Sequence, residues 1–288
     1  MLVILMTFLL GASVGSFINV VTYRLPIMLH WNWICESNEF LESQGFKVKG
    51  PDNEVKYESF NLFWPPSHCP CCKHKIRPWE NIPLLSYFFL KRKCPNCEKE
   101  ISLQYPITEL ICGLLTVFLV YHLGLTSMSF VLLLLTWSLL SIAIIDLNHH
   151  LIPDEITLPL VWLGLSFNAG GMITDVSLND SVVGAILGYL SLWTVNWIFK
   201  IIRKQEGMGH GDFKLLAAIG AWLGWQSLLA TIIISSLTGA ILGILMISMF
   251  GKDKTQPIPF GPYLSASALI FLVWGTQINN FYLTNFLR

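Results

Sequence analysis

Charge is scarce in this sequence. Only 12% of its 288 residues are Asp, Glu, Lys or Arg, and 53% are hydrophobic. A soluble domain carries roughly 25% charged residues, so the shortfall points to a polytopic membrane protein and away from an ordinary soluble domain. The net charge is zero, and without a basic surplus no nucleic-acid partner is expected. The N-terminus lacks the basic region that precedes the apolar core of a secretory signal. Its first basic residue, Arg24, follows the apolar run "MLVILMTFLLGASVGSFINVV". Residues 1–21 are therefore read as an uncleaved first transmembrane helix. Also missing are an internal repeat, a low-complexity tract, the matched broken helices of many transporters and the G-x-G-x-x-G fingerprint of a dinucleotide fold.

Long apolar runs are plentiful. A bilayer-crossing helix needs ~20 mostly apolar residues. Such runs fall at approximately 2–21, 106–123, 128–145, 156–171, 181–201, 213–226, 228–250 and 262–282. The expected fold is all-α, with about eight transmembrane helices embedded in membrane lipid. Three segments are expected: the first helix (1–21), a cytoplasmic module (22–105) and a seven-helix membrane domain (106–288). Lys and Arg accumulate in cytoplasmic loops. Eleven of the eighteen lie between positions 22 and 105, and most of the rest, Lys252 and Lys254 included, lie in alternate loops. Both termini are then expected on the non-cytoplasmic side. Residues 28–60 show no clear periodicity and receive no assigned structure. G-x-x-x-G spacings at 184–188, 220–224 and 239–243 suit close helix packing.

The seven cysteines do not form the even framework of a secreted disulfide protein. Five of them cluster in "CPCCKHKIRPWENIPLLSYFFLKRKCPNCEKEI". Cys69 with Cys72, and Cys94 with Cys97, form two C-x-x-C pairs separated by 21 residues. Two such knuckles can hold one Zn²⁺ through four thiolates. A reducing cytoplasm also disfavours disulfides. A closed, four-thiolate site has no room for a reacting water, so the metal is expected to be structural. Cys71, His68 and His74 remain alternative ligands.

Two carboxylates stand at the ends of apolar runs, where ionisable groups are costly and mark function. Asp146 closes the third run in "LLSIAIIDLNHHLIPDE". Asp212 opens the sixth in "GMGHGDFKLL". The expected topology puts both at the cytoplasmic face. Two neighbouring carboxylates can share one proton, so that one activates water while the other donates to a carbonyl. Each alone could instead be a helix-end acid favoured by the dipole. Asp154 and Glu155 compete for the second position, although "IPDE" looks like a turn and helix start. Gly207, Gly209 and Gly211 would allow unusual backbone angles or close approach of a substrate chain. His210 is read as an interfacial side chain facing water.

With these motifs together, the chain resembles the type IV prepilin peptidases, bifunctional leader peptidase/N-methyltransferases of bacteria, over nearly its whole length. "GASVGSFINVVTYRLP" looks like that family's first-span motif. The paired-cysteine segment looks like its cytoplasmic module. "IDLNHHLIPDEITLPLVWLGL" and "GMGHGDFKLLAAIGAWLG" look like its two aspartate motifs, the latter carrying G-x-G-D. The resemblance implies residence in the bacterial cell inner membrane and cleavage of a short basic leader, after a glycine, from prepilins or from pseudopilins of type II secretion. It implies catalysis by Asp146 and Asp212. It further implies methylation of the new N-terminus with S-adenosylmethionine as cosubstrate, for which Glu80 and Glu109 are candidates. Many relatives carry glycine two positions before the third cysteine, where this chain has Arg92, and some lack the cysteine pairs. The alternative reading is a transporter or channel with a zinc-bound cytoplasmic regulatory module.

Overall fold

The computed structural model describes residues 2–46, 60–173, 175–205, 207–250 and 258–286. Part of the unassigned stretch 28–60, together with Lys252 and Lys254, lies outside these residues. Among the described residues there is no strand, only two isolated β-bridges. These described residues form nine α-helices: α1 Leu2–Ser43, α2 Leu85–Phe89, α3 Gln104–Leu123, α4 Ser127–His149, α5 Asp154–Ala169, α6 Leu178–Arg203, α7 His210–Leu223, α8 Gln226–Phe250 and α9 Gly261–Phe286. A 3₁₀ turn occupies Pro78–Asn81.

Each apolar run falls mainly on one helix, although the run 156–171 passes the end of α5 and the run 213–226 passes that of α7 and reaches α8. Among the described residues, five segments are long and apolar enough to cross a membrane by length and composition: Leu2–Ser43, Gln104–Leu123, Ser127–His149, Leu178–Arg203 and Gln226–Met246. α7, with 14 residues, reaches only about 21 Å at 1.5 Å per residue, short of a ~30 Å hydrocarbon core. The chain is an integral membrane protein with several apolar helices.

The chain divides into two compact units, Met1–Val117 and Phe118–Arg288. In the first, α1 continues well past residue 21, through Pro26, to Ser43. α1 and α3 pack closely because Gly11 and Gly15 leave room. A Cβ on Gly11 would lie 2.5 Å from Thr116 Oγ1, and one on Gly15 would lie 2.8 Å from Glu109 Cα. Arg24 is buried and ties α1 to the segment after it. Its guanidinium donates to the carbonyls of Asn61 (2.9 Å) and Pro65 (2.6 Å).

In the second unit α7 is the core. Phe213 and Leu215 through Trp222 are all buried, as expected of a helix that is apolar all round. It packs against α5 and α6 most extensively, and also against α8 and α9. The glycine spacings explain how. Gly184 of α6 and Gly220 of α7 meet so closely that a Cβ on either would overlap the other's backbone carbonyl. Trp222 fills the space left by Gly164, and its indole N–H donates to the Leu160 carbonyl at 2.7 Å. Asn168 of α5 donates to the Ala221 carbonyl at 2.9 Å. These polar contacts hold α7 in register against its neighbours, because a buried donor left unpaired would be costly. At its far end Gly224, at φ +77°, stops α7.

Candidate active site and metal centre

The packing of α7 fixes where Asp212 sits. Gly209 is the N-cap, in extended conformation, and Asp212 is the third residue of the helix. Its amide N–H donates to the Gly209 carbonyl at 3.2 Å. Asp146 lies in the last turn of α4, which ends at His150. That residue is left-handed (φ 52°), and its N–H donates to the Asp146 carbonyl. Both aspartates are more than nine-tenths buried. They are close enough for the charge of one to act on the other.

A third element completes this site. The backbone N–H of Gly261, the first residue of α9, donates to Asp146 Oδ2 at 2.9 Å. A Cβ on Gly261 would lie 2.7 Å from that oxygen and 3.1 Å from Ile152 Cδ1. By contrast, Asp212 Oδ1 is buried without a hydrogen-bond partner. Gly261 escaped the reading of the sequence. The only available signal was a Gly-Pro pair at the start of the last apolar run.

The frame around Asp212 differs from the expectation in one respect. Gly207, Gly209 and Gly211 all avoid the left-handed region, so unusual backbone angles are not their role. Gly207 is pressed against Phe199, and Gly211 against Ile152, each leaving 2.7 Å to the nearest atom for a Cβ. Gly209 alone faces open space, with Asp212 Oδ2 its one near neighbour at 3.6 Å. Asp154 pairs with Lys214, 2.6 Å away, and both Asp154 and Glu155 are exposed. Neither acid joins the buried site. His210 is exposed and packs its ring against Phe213 at 5.5 Å.

In the first unit the four expected cysteines converge. Cys69 and Cys97 Sγ lie 3.8 Å apart, as do Cys72 and Cys94 Sγ. All four sulfurs lie within 4.8 Å of one another. Sulfurs ~2.3 Å from a central ion form a tetrahedron with edges of about 3.8 Å, so the cluster fits a metal of that kind. Cys71 is exposed and stays outside it. His68 bonds the Pro66 carbonyl, and His74 lies 3.5 Å from Glu80.

The two knuckles fold alike. In each, the first cysteine's N–H donates to a carbonyl five residues on (His74, Lys99), and its carbonyl accepts from a left-handed residue four on (Lys73, Glu98). The turns aim N–H groups at sulfur. The Cys72 N–H holds Cys69 below the ordinary thiol range. The Asn96 side chain and the His74 N–H bring Cys72 down to about 6. The Lys99 N–H also favours the Cys97 thiolate, but burial and the facing sulfurs outweigh it and push Cys97 up to about 12. A cation among the four would relieve that mutual repulsion.

Glu80 and Glu109 come together on one cavity of about 590 Å³, lined also by Ser16, Asn19, Arg24 and Tyr105. Glu80 accepts from the Arg77 N–H at 2.9 Å and Glu109 from the Leu84 N–H at 2.8 Å. Asn19 donates to the Tyr105 carbonyl at 3.1 Å, which leaves its Oδ1 buried and unpaired. The volume lies within the ~300–1,000 Å³ typical of small-ligand sites.

Residues 9–123 match the family model described as the bacterial peptidase A24 N-terminal domain, and residues 133–244 match that of the type IV leader peptidase family. The chain is 50% identical over 280 residues to a protein of Pseudomonas aeruginosa named prepilin leader peptidase/N-methyltransferase, with 97% of this chain and 93% of the relative covered. It is 48% identical, over the same coverage, to a protein of that name from Stutzerimonas stutzeri. A third from Aeromonas hydrophila is 47% identical over 98% of this chain and 94% of its own. No solved structure matches.

Proposed function

The chain belongs to the type IV leader peptidase family, and from that membership we propose that it removes the short basic leader of prepilins and pseudopilins and then N-methylates the new N-terminus. The observation that carries the proteolytic half is the buried carboxylate pair, Asp146 from α4 and Asp212 from α7. In an aspartyl mechanism the ionised carboxylate takes a proton from water as its oxygen attacks the scissile carbonyl carbon. The protonated carboxyl gives its proton to the carbonyl oxygen. Collapse of the tetrahedral intermediate breaks the C–N bond, and the amine leaves with a proton returned through the pair. Seclusion from bulk water strengthens each of these interactions. The open side of Gly209, next to Asp212 Oδ2, is where an extended substrate backbone has room to come close.

The methyltransferase half belongs to the first unit. Methyl transfer moves a CH₃ from the sulfonium of S-adenosylmethionine to the freed amine and releases S-adenosylhomocysteine and a proton. The cavity shared by Glu80 and Glu109 is the proposed site. Its lining sets Glu80, Glu100 and Glu109 beside Arg24, Lys73 and Lys99, which suits a ligand that carries both cationic groups and a carboxylate, and its tyrosines offer faces for an adenine ring. The metal bound by Cys69, Cys72, Cys94 and Cys97 is proposed to be one structural Zn²⁺, which fastens the two knuckles that frame the cavity.

The proposed organisation is a first span (1–21), a cytoplasmic module (22–105) and a seven-helix peptidase domain (106–288). Eight spans would leave both termini on the non-cytoplasmic side of the inner membrane and the active site at the cytoplasmic face. Family membership leaves the transporter reading without support.

One reaction tests the proposal. Purified protein is incubated with a prepilin peptide and labelled S-adenosylmethionine, and mass spectrometry reports cleavage and methylation separately. Asp146→Asn and Asp212→Asn should each lower cleavage by at least ~100-fold, the scale of general acid–base contributions. Wild-type processing by both variants would remove the assignment.

A further inference from the structure

The two carboxylates are not equivalent, and α9 is what distinguishes them. A helix starts with N–H groups that have no partner of their own. At the start of α9, Pro262 has none to give. The N–H groups of Tyr263 and Leu264 both turn back to the Phe260 carbonyl, each at 3.1 Å. The Gly261 N–H is the remaining one of these, and it points at Asp146 Oδ2. Asp146, from a different helix 115 residues earlier, therefore occupies the place of an N-cap for α9. It receives both a direct donor and the positive end of that helix. Such a carboxylate is held in one orientation, with a donor that stabilises its charge when it ionises.

Asp212 has the opposite surroundings. Its Oδ1 is buried and no group donates to it. Among the described residues no cation pairs with it, since the nearby Lys214 is engaged with Asp154. Of the described donors, only the Gly209 backbone N–H acts on this carboxylate, and it leaves Oδ1 bare. A buried carboxyl next to an anion, with one oxygen that receives no donor, is the one that keeps the shared proton. Gly261 itself has no substitute. Any side chain there meets Oδ2 at 2.7 Å, and the backbone of Pro262 and Phe260 leaves little freedom to withdraw.

We propose that Asp146 is the general base, Asp212 the general acid, and Gly261 the positioning residue that assigns these roles through its backbone N–H. The assignment rests on the aspartyl-protease reading above and deepens it.

The test is steady-state cleavage of a prepilin peptide by the full-length protein in detergent or nanodiscs, comparing Asp146→Asn, Asp212→Asn and Gly261→Ala. Asparagine at 146 keeps an acceptor for the Gly261 N–H, so α9 stays capped while the base is lost. Asparagine at 212 can still donate an N–H to the scissile carbonyl while the base remains. Asp212→Asn should therefore retain at least roughly tenfold more activity than Asp146→Asn, within the ~100–10,000-fold span of general acid–base effects. Gly261→Ala should lower kcat by a similar factor with KM nearly unchanged, because it displaces a reacting group and not the substrate. A purely structural glycine would instead lower the folded fraction and leave kcat per folded molecule intact.

Equal loss in the two Asn variants, or the reverse order, overturns the role assignment while leaving the pair catalytic. Full activity in both overturns the underlying reading instead. If Gly261→Ala does not fold, the ratio between the two Asn variants still decides the question.

Discussion

Gly211 makes a tight contact beside the proposed active site, and replacing it with alanine gives a prediction with a magnitude. The added Cβ would lie 2.7 Å from Ile152 Cβ and 3.4 Å from the Ile152 carbonyl oxygen. Carbon pairs settle at ~3.5–4.0 Å, so about 1 Å of separation must be found. Neither atom is the end of a flexible side chain. The relief has to come from shifting the first turn of α7 or the segment that carries Ile152. Gly211 precedes Asp212, so the shift moves the carboxylate itself. A misplacement of ~1 Å costs about 100-fold in rate where reacting groups must be aligned. Stability should change far less. Overpacking costs ~1–3 kcal/mol, and exchanging a helical glycine for alanine returns ~0.5–1 kcal/mol.

The expected variant is therefore folded and destabilised by no more than ~2 kcal/mol, with kcat about 100-fold down. Gly209→Ala is the control. Its Cβ would meet only Asp212 Oδ2, at an ordinary 3.6 Å, and the poorer N-cap costs about 1 kcal/mol or less. If the open side of Gly209 receives the substrate, this variant should raise KM and spare kcat. Peptide cleavage followed by mass spectrometry, with tryptophan-monitored unfolding, reads both quantities. A folded Gly211→Ala protein with wild-type kcat would refute the reasoning, as would a larger kcat loss in Gly209→Ala.

Four further outcomes follow from the structure. Chelation of the proposed zinc should expose the first unit to proteolysis and reduce methylation more than cleavage. Because the metal displaces a proton from each thiol that it takes, zinc loading should fall as pH is lowered, which a colorimetric release assay would follow; Cys71→Ser should change neither. Arg92 sits at φ 65°, a conformation costing an L-residue ~1–2 kcal/mol, so Arg92→Gly should stabilise the module by up to about 1 kcal/mol in thermal unfolding without loss of cleavage. Asp154→Asn breaks an exposed ion pair with Lys214 worth ~0–1 kcal/mol; cleavage should persist, and its abolition would return Asp154 to candidacy as a catalytic acid.

The cysteine cluster was legible because its logic is local. Two C-x-x-C turns bring their sulfurs together whatever surrounds them, and the left-handed residues after Cys72 and Cys97 complete each turn. The same geometry explains why Cys71 stands apart: between the ligands of a tight turn, the intervening side chain is thrown outward. α1 was legible only to the end of its apolar run. Hydropathy reports which residues a bilayer accepts, and helix formation obeys a different rule. Residues 22–43 contain no glycine and only Pro26 as a breaker, so nothing forces the helix to stop where its lipid-compatible face ends.

The carboxylate site shows a sharper boundary to what residue types can reveal. Asp146 and Asp212 stand out because a charge in an apolar run demands an explanation. Gly261 does not, because it contributes a backbone N–H, and every residue but proline has one. What singles it out is the absence of a side chain where Asp146 Oδ2 must approach, which only packing between α4 and α9 creates. The three glycines before Asp212 make the same point from the other side. In the sequence they look alike, three small residues beside a catalytic candidate. In the fold Phe199 fills the space at Gly207, Ile152 fills it at Gly211, and only Gly209 leaves it open. A G-x-G-D motif thus combines two requirements. One glycine seats the helix so that the carboxylate cannot drift, and the other keeps the approach to that carboxylate clear. Alanine should separate them, acting on kcat at the seated position and on KM at the open one.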